Sequence, residues 1–273
     1  MDKRLYAQNA DFQRLVTLKT NRYKRHKYHA FFVEGVRSIN NAIAHGWHIE
    51  SLVYSGERGL SDWAKQTLKS VRSDVNYVLT DALMAALSGK DDTSELVAIV
   101  QMRADDTERL ALSNVPLVAL FDRPSNHGNL GTILRSCDGL GVDGLIITGH
   151  AADLYDPEVI AASMGSFFKV PVVRLADNRA LFDYVHTLKA KYTDFQLIGT
   201  TAHNEKYVFN ADFTRPTMIM IGNETDGLCR ALKENCDTLV TIPMAQESTA
   251  SSFNVGCAAT VLFYEARRQR MGV

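Results

Sequence analysis

The strongest constraint on the fold is a rhythm of short apolar runs between Leu117 and Ile242, each followed by a stretch of helical periodicity or a polar turn. The runs start at Leu117 and cover Gly144 to Thr148, Val170 to Arg174, Gln196 to Thr200, Met218 to Ile221 and Thr238 to Ile242. Runs this short and apolar on both faces suit strands covered on both sides, and their alternation with helices implies a mainly parallel α/β sheet. Helices are predicted over Leu130 to Leu140, Pro157 to Ser166, Asn178 to Lys191, Leu228 to Asn235 and Asn254 to Arg270, with Asp156-Pro157 a good helix entry.

The first hundred residues repeat the alternation on a smaller scale. Strands are expected at Phe31 to Glu34, Ile49 to Tyr54, Val75 to Leu79 and Leu96 to Val100, with helices at Gly35 to His45, Ser61 to Val71 and Asp81 to Leu87. The polar stretch after Ala104 lacks apolar periodicity. These features divide the chain into a small α/β domain over 1–105, a linker over 106–115 and a larger domain over 116–273.

Lys and Arg number 30 against 31 Asp and Glu, a net charge of -1, so no global field announces a nucleic acid partner. The balance hides a local excess. Lys19, Arg22, Lys24, Arg25 and Lys27 occur without an intervening acid and with Tyr23, His26 and Tyr28 among them. Basic and aromatic residues together suit a phosphate backbone with exposed bases, and a solvated helix face is the other reading. The four cysteines are widely spaced, with no metal-ligand pattern, and are expected to be buried thiols in a reducing compartment. No window approaches the roughly 18 uninterrupted apolar residues of a membrane span, and the charged start is unlike a signal peptide, so a cytoplasmic protein is expected.

Three polar stretches leave apolar runs. Ser125 to Gly141 is rich in turn formers, Asn126, Gly128, Asn129 and Gly131, and carries Arg135 on a helix with Ile133 and Leu134. Ile219 to Leu228 runs into a turn containing Gly222 and Glu224, and Ile242 to Val255 crosses a polar loop before a helix capped by Ser or Asn. Loops at the carboxyl ends of parallel strands are where open α/β sheets bind ligands, so the three could form one pocket. Gly139-Leu-Gly-Val-Asp-Gly144 matches a dinucleotide fingerprint in spelling only. It ends a helix and leads into a strand, the reverse of the required order, and is read as a helix stop.

Taken together, Asn129-Leu-Gly-Thr-Ile-Leu-Arg135, Ile221-Gly-Asn-Glu-Thr-Asp-Gly-Leu228, and Ile242-Pro-Met with Ser252-Phe-Asn-Val255 resemble motifs 1, 2 and 3 of the SpoU, or TrmH, family of RNA ribose 2'-O-methyltransferases in the SPOUT superfamily. Asp156 to Gly165 is similar to the family's segment between motifs 1 and 2. Phe32-Val-Glu-Gly35 and Ile49-Glu-Ser-Leu52 resemble its RNA-binding extension related to ribosomal protein L30e. Family members usually carry Leu where Phe253 stands, and the loop from Met244 to Ser252 is slightly longer than usual.

The resemblance implies a SPOUT domain with a deep trefoil knot, S-adenosyl-L-methionine as cofactor, no metal, and a homodimer with the Asn254 to Arg270 helix as a candidate interface. By similarity, Thr200, Gly222, Ile242 and Met244 hold the cofactor with Phe253 against it. Arg135 grips a phosphate and stabilises the reacting oxygen, Asn129 orients Arg135, and Glu224, Ser252 and Asn254 shape the pocket and position the ribose or Arg135. The basic stretch Lys19, Arg22, Lys24, Arg25 and Lys27 would bind the RNA, ribosomal RNA (23S) before transfer RNA, with no DNA or membrane partner. An inactive RNA-binding protein of the same fold and a nucleotide-dependent oxidoreductase are the alternatives. Retention of Asn129, Arg135, Glu224, Ser252 and Asn254 speaks against the first, and the misplaced glycines against the second.

Overall fold

The computed structural model describes residues 2–89, 92–203 and 206–272. Two compact units emerge. One comprises 1–103 with 155–169, the other 104–154 with 170–273.

In the first unit, β1 (Asp2–Leu5), β2 (Ala30–Glu34), β3 (Ile49–Ser55), β4 (Val75–Leu79) and β5 (Leu96–Gln101) form a mixed sheet in the order β1-β4-β3-β5-β2. The helices are α1 (Ala10–Thr20), α2 (Arg22–Tyr28), α3 (Val36–Ala44), α4 (Asp62–Ser70) and α5 (Asp81–Ser88). Side-chain caps at Asn9, Asn21, Ser61 and Thr80 start four of them by accepting amide hydrogens that the first turn leaves unpaired. Phe12, Leu15 and Leu18 of α1 are buried in a core with Phe32, Val53, Leu79 and Val97.

The basic stretch is only partly a surface. Arg25 is 2% exposed, and its guanidinium donates to the carbonyls of Leu18 (3.2 Å) and Lys19 (2.8 Å) and to the Asp156 carboxylate (2.8 Å). Lys19 donates to the carbonyls of Leu87 (3.0 Å) and Ser88, where α5 ends, and its ammonium lies 5.5 Å from the centre of the Phe32 ring. These two of the five expected RNA contacts are therefore spent inside the unit, where they satisfy helix-end carbonyls. Arg22 and Lys27 remain exposed and Lys24 half-buried.

The second unit is built on a parallel sheet of β6 (Leu117–Asp122), β7 (Gly144–Thr148), β8 (Val172–Leu175), β9 (Gln196–Thr200), β10 (Lys206–Tyr207), β11 (Thr217–Ile221) and β12 (Thr238–Thr241), in the order β10-β12-β9-β11-β6-β7-β8. Residues 217–221 of β11 pair in register with 117–121 of β6. Every residue of β6, β7 and β11 is buried, as their uninterrupted apolar sequences require. The helices of this unit are α6 (His127–Leu140), α8 (Asn178–Lys191), α9 (Arg230–Glu234) and α10 (Val255–Met271), and α7 (Pro157–Ala162) belongs to the first unit. Gly141 ends α6 at φ 73°, a left-handed stop, so the Gly139 to Gly144 spelling is a helix end.

The expectation of four buried cysteines needs correction, and two features of packing go beyond the expected division. Residues 155–169 pack with the first unit: Trp47 Nε1 donates to the Phe168 carbonyl at 2.8 Å, and Phe31 sits against Tyr155, Phe167 and Phe168. The stretch 106–115, expected as a linker, is held by contacts of its own. Within the second unit Arg109 donates to the Val172 carbonyl, Leu110 is buried and Ser113 donates to Asp143. Of the four free cysteines only Cys137 is buried, and Cys257 is exposed.

Replacing Arg25 by Ala strands two helix-end carbonyls and the Asp156 carboxylate, so it should destabilise the chain by about 2–3 kcal/mol in urea unfolding, with Arg25→Lys recovering part of the loss. An Arg25→Ala variant of unchanged stability with weakened RNA binding would contradict the structural role.

Candidate active site

The strands β12, β9, β11 and β6 are sheet neighbours and run parallel, so the segments that follow them leave from one edge. That edge carries a cavity of about 220 Å³. Thr200 to Ala202 from the end of β9, Ile221 to Thr225 from the end of β11, and Ile242, Met244, Ser252 and Phe253 after β12 line it, with Val255, Ala258 and Leu262 of α10 as one wall. Thr200, Gly222, Ile242, Met244 and Phe253, the expected cofactor residues, thus border one cavity together with Glu224 and Ser252. Gly222 is obligatory for a reason the sequence did not disclose. A Cβ there would lie 2.2 Å from the backbone of Gly227 and Leu228, because the turn folds back onto its own start.

That turn is closed by paired backbone bonds between Asn223 and Gly227, and the Asn223 side chain accepts from the amide of Thr225 at 2.8 Å. It is tied to the end of β6, where Asp122 and Arg123 lie outside the three motifs. Asn223 Nδ2 donates to the Arg123 carbonyl (2.7 Å), and the Arg123 guanidinium donates to the Gly227 carbonyl (2.9 Å). The buried Asp122 carboxylate accepts from the Cys229 amide (2.9 Å) and from Arg123 (3.1 Å). The available signal was an acid and a base directly following the continuous apolar run that starts at Leu117.

Glu224 links the turn to the start of α6. Its carboxylate accepts from the Ser125 amide (3.0 Å) and hydroxyl (2.6 Å), the Asn126 amide (3.2 Å) and Asn129 Nδ2 (3.3 Å). Asn129 Oδ1 in turn accepts from Asn254 Nδ2 at 3.0 Å, and Asn254 Oδ1 caps α10 by accepting from the Gly256 amide at 2.9 Å. All three polar stretches are joined through these residues. Partial burial pushes the Glu224 pKa up, but the hydrogen bonds from Ser125 and Asn129 outweigh it and hold the carboxyl below its ordinary value.

Arg135 stands apart. It is exposed, does not border the cavity, and its guanidinium has no hydrogen-bond or ion-pair partner among the described residues. The expectation that Asn129 orients it is not met within the chain. Six residues along a helix turn a side chain by about 240°, so the two face different sides, and the Asn129 amide is already held between Glu224 and Asn254. Asn254 likewise serves as helix cap and tie and is not part of the cavity wall.

Residues 116–264 match the SpoU rRNA Methylase family and residues 9–98 the SpoU L30e-like domain. The chain is 44% identical over 269 residues to a 23S rRNA (uridine(2479)-2'-O)-methyltransferase of Streptomyces viridochromogenes, covering 98% of this chain and 93% of that one. It is 26% identical to the 23S rRNA (guanosine(2553)-2'-O)-methyltransferase RlmP of Bacillus subtilis, covering 94% of each. Among solved structures, the SpoU methyltransferase AviRb of Streptomyces viridochromogenes in complex with the cofactor AdoMet superposes with a TM-score of 0.91 at 44% identity, covering 96% of this chain and 98% of that one.

Folding lowers the Glu224 pKa, so its tie should contribute fully above the ordinary glutamate value of about 4.3 and fade as pH falls through the lower folded value. Thermal unfolding of Glu224→Gln should show a deficit of about 1–2 kcal/mol that is constant from about pH 8 to 5 and shrinks below about pH 4. A deficit that grows on acidification would contradict this assignment.

Proposed function

This chain belongs to the SpoU rRNA methylase family, and we infer that it is an S-adenosylmethionine-dependent enzyme that methylates a ribose 2'-hydroxyl in RNA, with 23S ribosomal RNA the substrate its relatives favour. The observation that carries this reading is the convergence of the three motif loops on one cavity at the carboxyl edge of a parallel sheet. The family's trefoil knot is part of the same reading. It is compatible with a sheet in which β11 lies between β6 and β9 while β12 lies beyond them.

The cavity suits the cofactor. Ile221, Val240, Ile242, Met244 and Leu262 give apolar walls, and the loop backbone around Thr200, Gly222 and Met244 gives the amides and carbonyls that an adenine and an amino acid end require. We assign Thr200, Gly222, Ile242, Met244 and Phe253 to holding it. When bound, S-adenosylmethionine supplies a methyl group activated by its sulfonium.

The chain's own task is the hydroxyl, which has a pKa far above neutral and has to be aligned and relieved of its proton. Glu224 is unsuited to act as the base. Its oxygens are occupied by four donors and its pKa is lowered, so it serves to fix the loops. Arg135 is the residue we assign to the reaction. Its guanidinium cation can grip the phosphate beside the target ribose and stabilise the oxygen while the hydroxyl proton passes to bulk water.

Because Arg135 is exposed and does not border the cavity of its own chain, it serves the cavity of a second copy in this reading, and the enzyme is a homodimer. The exposed Val261, Tyr264 and Met271 of α10 supply apolar surface for such an interface. The first unit recognises RNA through Arg22, Lys24, Lys27 and the exposed Tyr23, and the second carries the chemistry. Among the described residues no helix is long and apolar enough to cross a membrane. Action on ribosomal RNA goes with a cytoplasmic protein.

The direct test is transfer of labelled methyl groups from S-adenosylmethionine to separated ribosomal and transfer RNA, followed by alkaline hydrolysis. Label in an alkali-resistant dinucleotide from 23S RNA is expected, and label only in transfer RNA or in alkali-sensitive mononucleotides would overturn the substrate or the reaction. Arg135→Ala should lower methyl transfer by about a hundredfold or more with S-adenosylhomocysteine affinity unchanged. A normal rate in that variant would remove Arg135 from the mechanism.

A further inference from the structure

We propose that residues 245–253 form a lid that closes over the cavity once the cofactor is bound, an inference that rests on the S-adenosylmethionine methyltransferase reading above. The segment leaves Met244 and returns to the body of the unit at Asn254. Met244 at one end and Ser251, Ser252 and Phe253 at the other all border the cavity, so both ends lie on its wall.

The ends are fixed and the middle is free. Ahead of the segment, Thr241 is buried and its hydroxyl donates to the carbonyls of Thr201 (2.7 Å) and His203. Behind it, Asn254 is tied to Asn129 at 3.0 Å and caps α10. Between these anchors every residue from 245 to 253 is exposed. Among the described residues, the hydrogen bonds of the segment all lie within it. The Ser248 amide donates to the Ala245 carbonyl (3.0 Å), the Ala250 amide to Ser248 Oγ (3.2 Å), and Ser248 Oγ to the Ala250 carbonyl (3.3 Å). A segment with a small turn of its own and no hydrogen bond to the body can swing about its two ends at little cost.

Phe253 gives that movement a driving force. It is 43% exposed although it borders a cavity whose walls include Ile221, Val240, Ile242 and Leu262. Small-molecule sites bury roughly 70–90% of their ligand, and an aromatic ring half in water gains by covering an apolar face such as an adenine. The ligand-free chain lacks that face and leaves the ring open to solvent. Closure excludes water from the site and slows the cofactor's departure until RNA arrives.

Hydrogen exchange of the wild-type chain, followed peptide by peptide with and without saturating S-adenosylhomocysteine, tests the lid without any variant. Amides of 245–253 should exchange about tenfold or more slowly in the complex. Phe253→Ala should speed S-adenosylhomocysteine dissociation by about tenfold or more, with the thermal midpoint of the ligand-free protein unchanged. Exchange at 245–253 that is indifferent to the bound ligand would overturn the lid, and so would protection that appears only when RNA is added. A wild-type dissociation rate in Phe253→Ala, or a lowered ligand-free midpoint that makes the ring part of the resting fold, would do the same. Wild type that binds no S-adenosylhomocysteine overturns the parent reading, whereas binding with an indifferent segment overturns the lid alone.

Discussion

Glu224 contributes a carboxylate, an acceptor with no hydrogen to give, and the hydrogen-bond directions around the cavity follow from that fact. Asn129 must turn its amide nitrogen towards Glu224, which leaves Asn129 Oδ1 to accept from Asn254 Nδ2. Asn254 then has only its oxygen for the first amides of α10, where it serves as the cap. Each side-chain amide has one consistent orientation, and the starts of α6 and α10 and the turn after β11 are fixed relative to one another. The anchor is itself held by a second layer, in which Asp122, Arg123 and Asn223 lock the turn carrying Glu224 onto the end of β6.

This arrangement separates stability from chemistry. The strands β6, β7 and β11 are buried along their whole length and hold the sheet together, while the segments leaving the carboxyl ends of β6 and β11 are mostly polar and half-buried or exposed. Such loops have little apolar area to bury, so hydrogen bonds of about 1 kcal/mol each, cooperating in one network, set their geometry. Arg135 is left outside the network, open to solvent and to whatever approaches α6.

Much of the architecture was legible because it depends on pattern. Uninterrupted apolar runs marked the parallel strands, and β4, β9 and α8 begin and end where periodicity sets them. The α1 and α2 helices were not drawn from the sequence, since charge density masks the apolar stripe of Phe12, Leu15 and Leu18. β1 and β10 are too short to show alternation. Motif spelling brought the cavity residues together, but it could not tell which side chains face solvent. Arg25 and Lys19 read as RNA contacts from composition, and only tertiary packing turns them towards helix-end carbonyls. Asn129 and Arg135 look like partners in a short motif and are separated by helical rotation. The grouping of 155–169 with the first unit depends on Trp47 and Phe31, more than a hundred residues away in the chain, and no local signal announces it.

The central claim is that the three polar loops act as one unit through Asn129 and Asn254. A double-mutant cycle on S-adenosylhomocysteine affinity, using Asn129→Ala, Asn254→Ala and the pair together, measures this directly. Coupling of more than about 0.5 kcal/mol, with the double variant little worse than the more damaging single one, is the predicted result. Losses that simply add would contradict the account and leave the loops as independent contributors to the cavity.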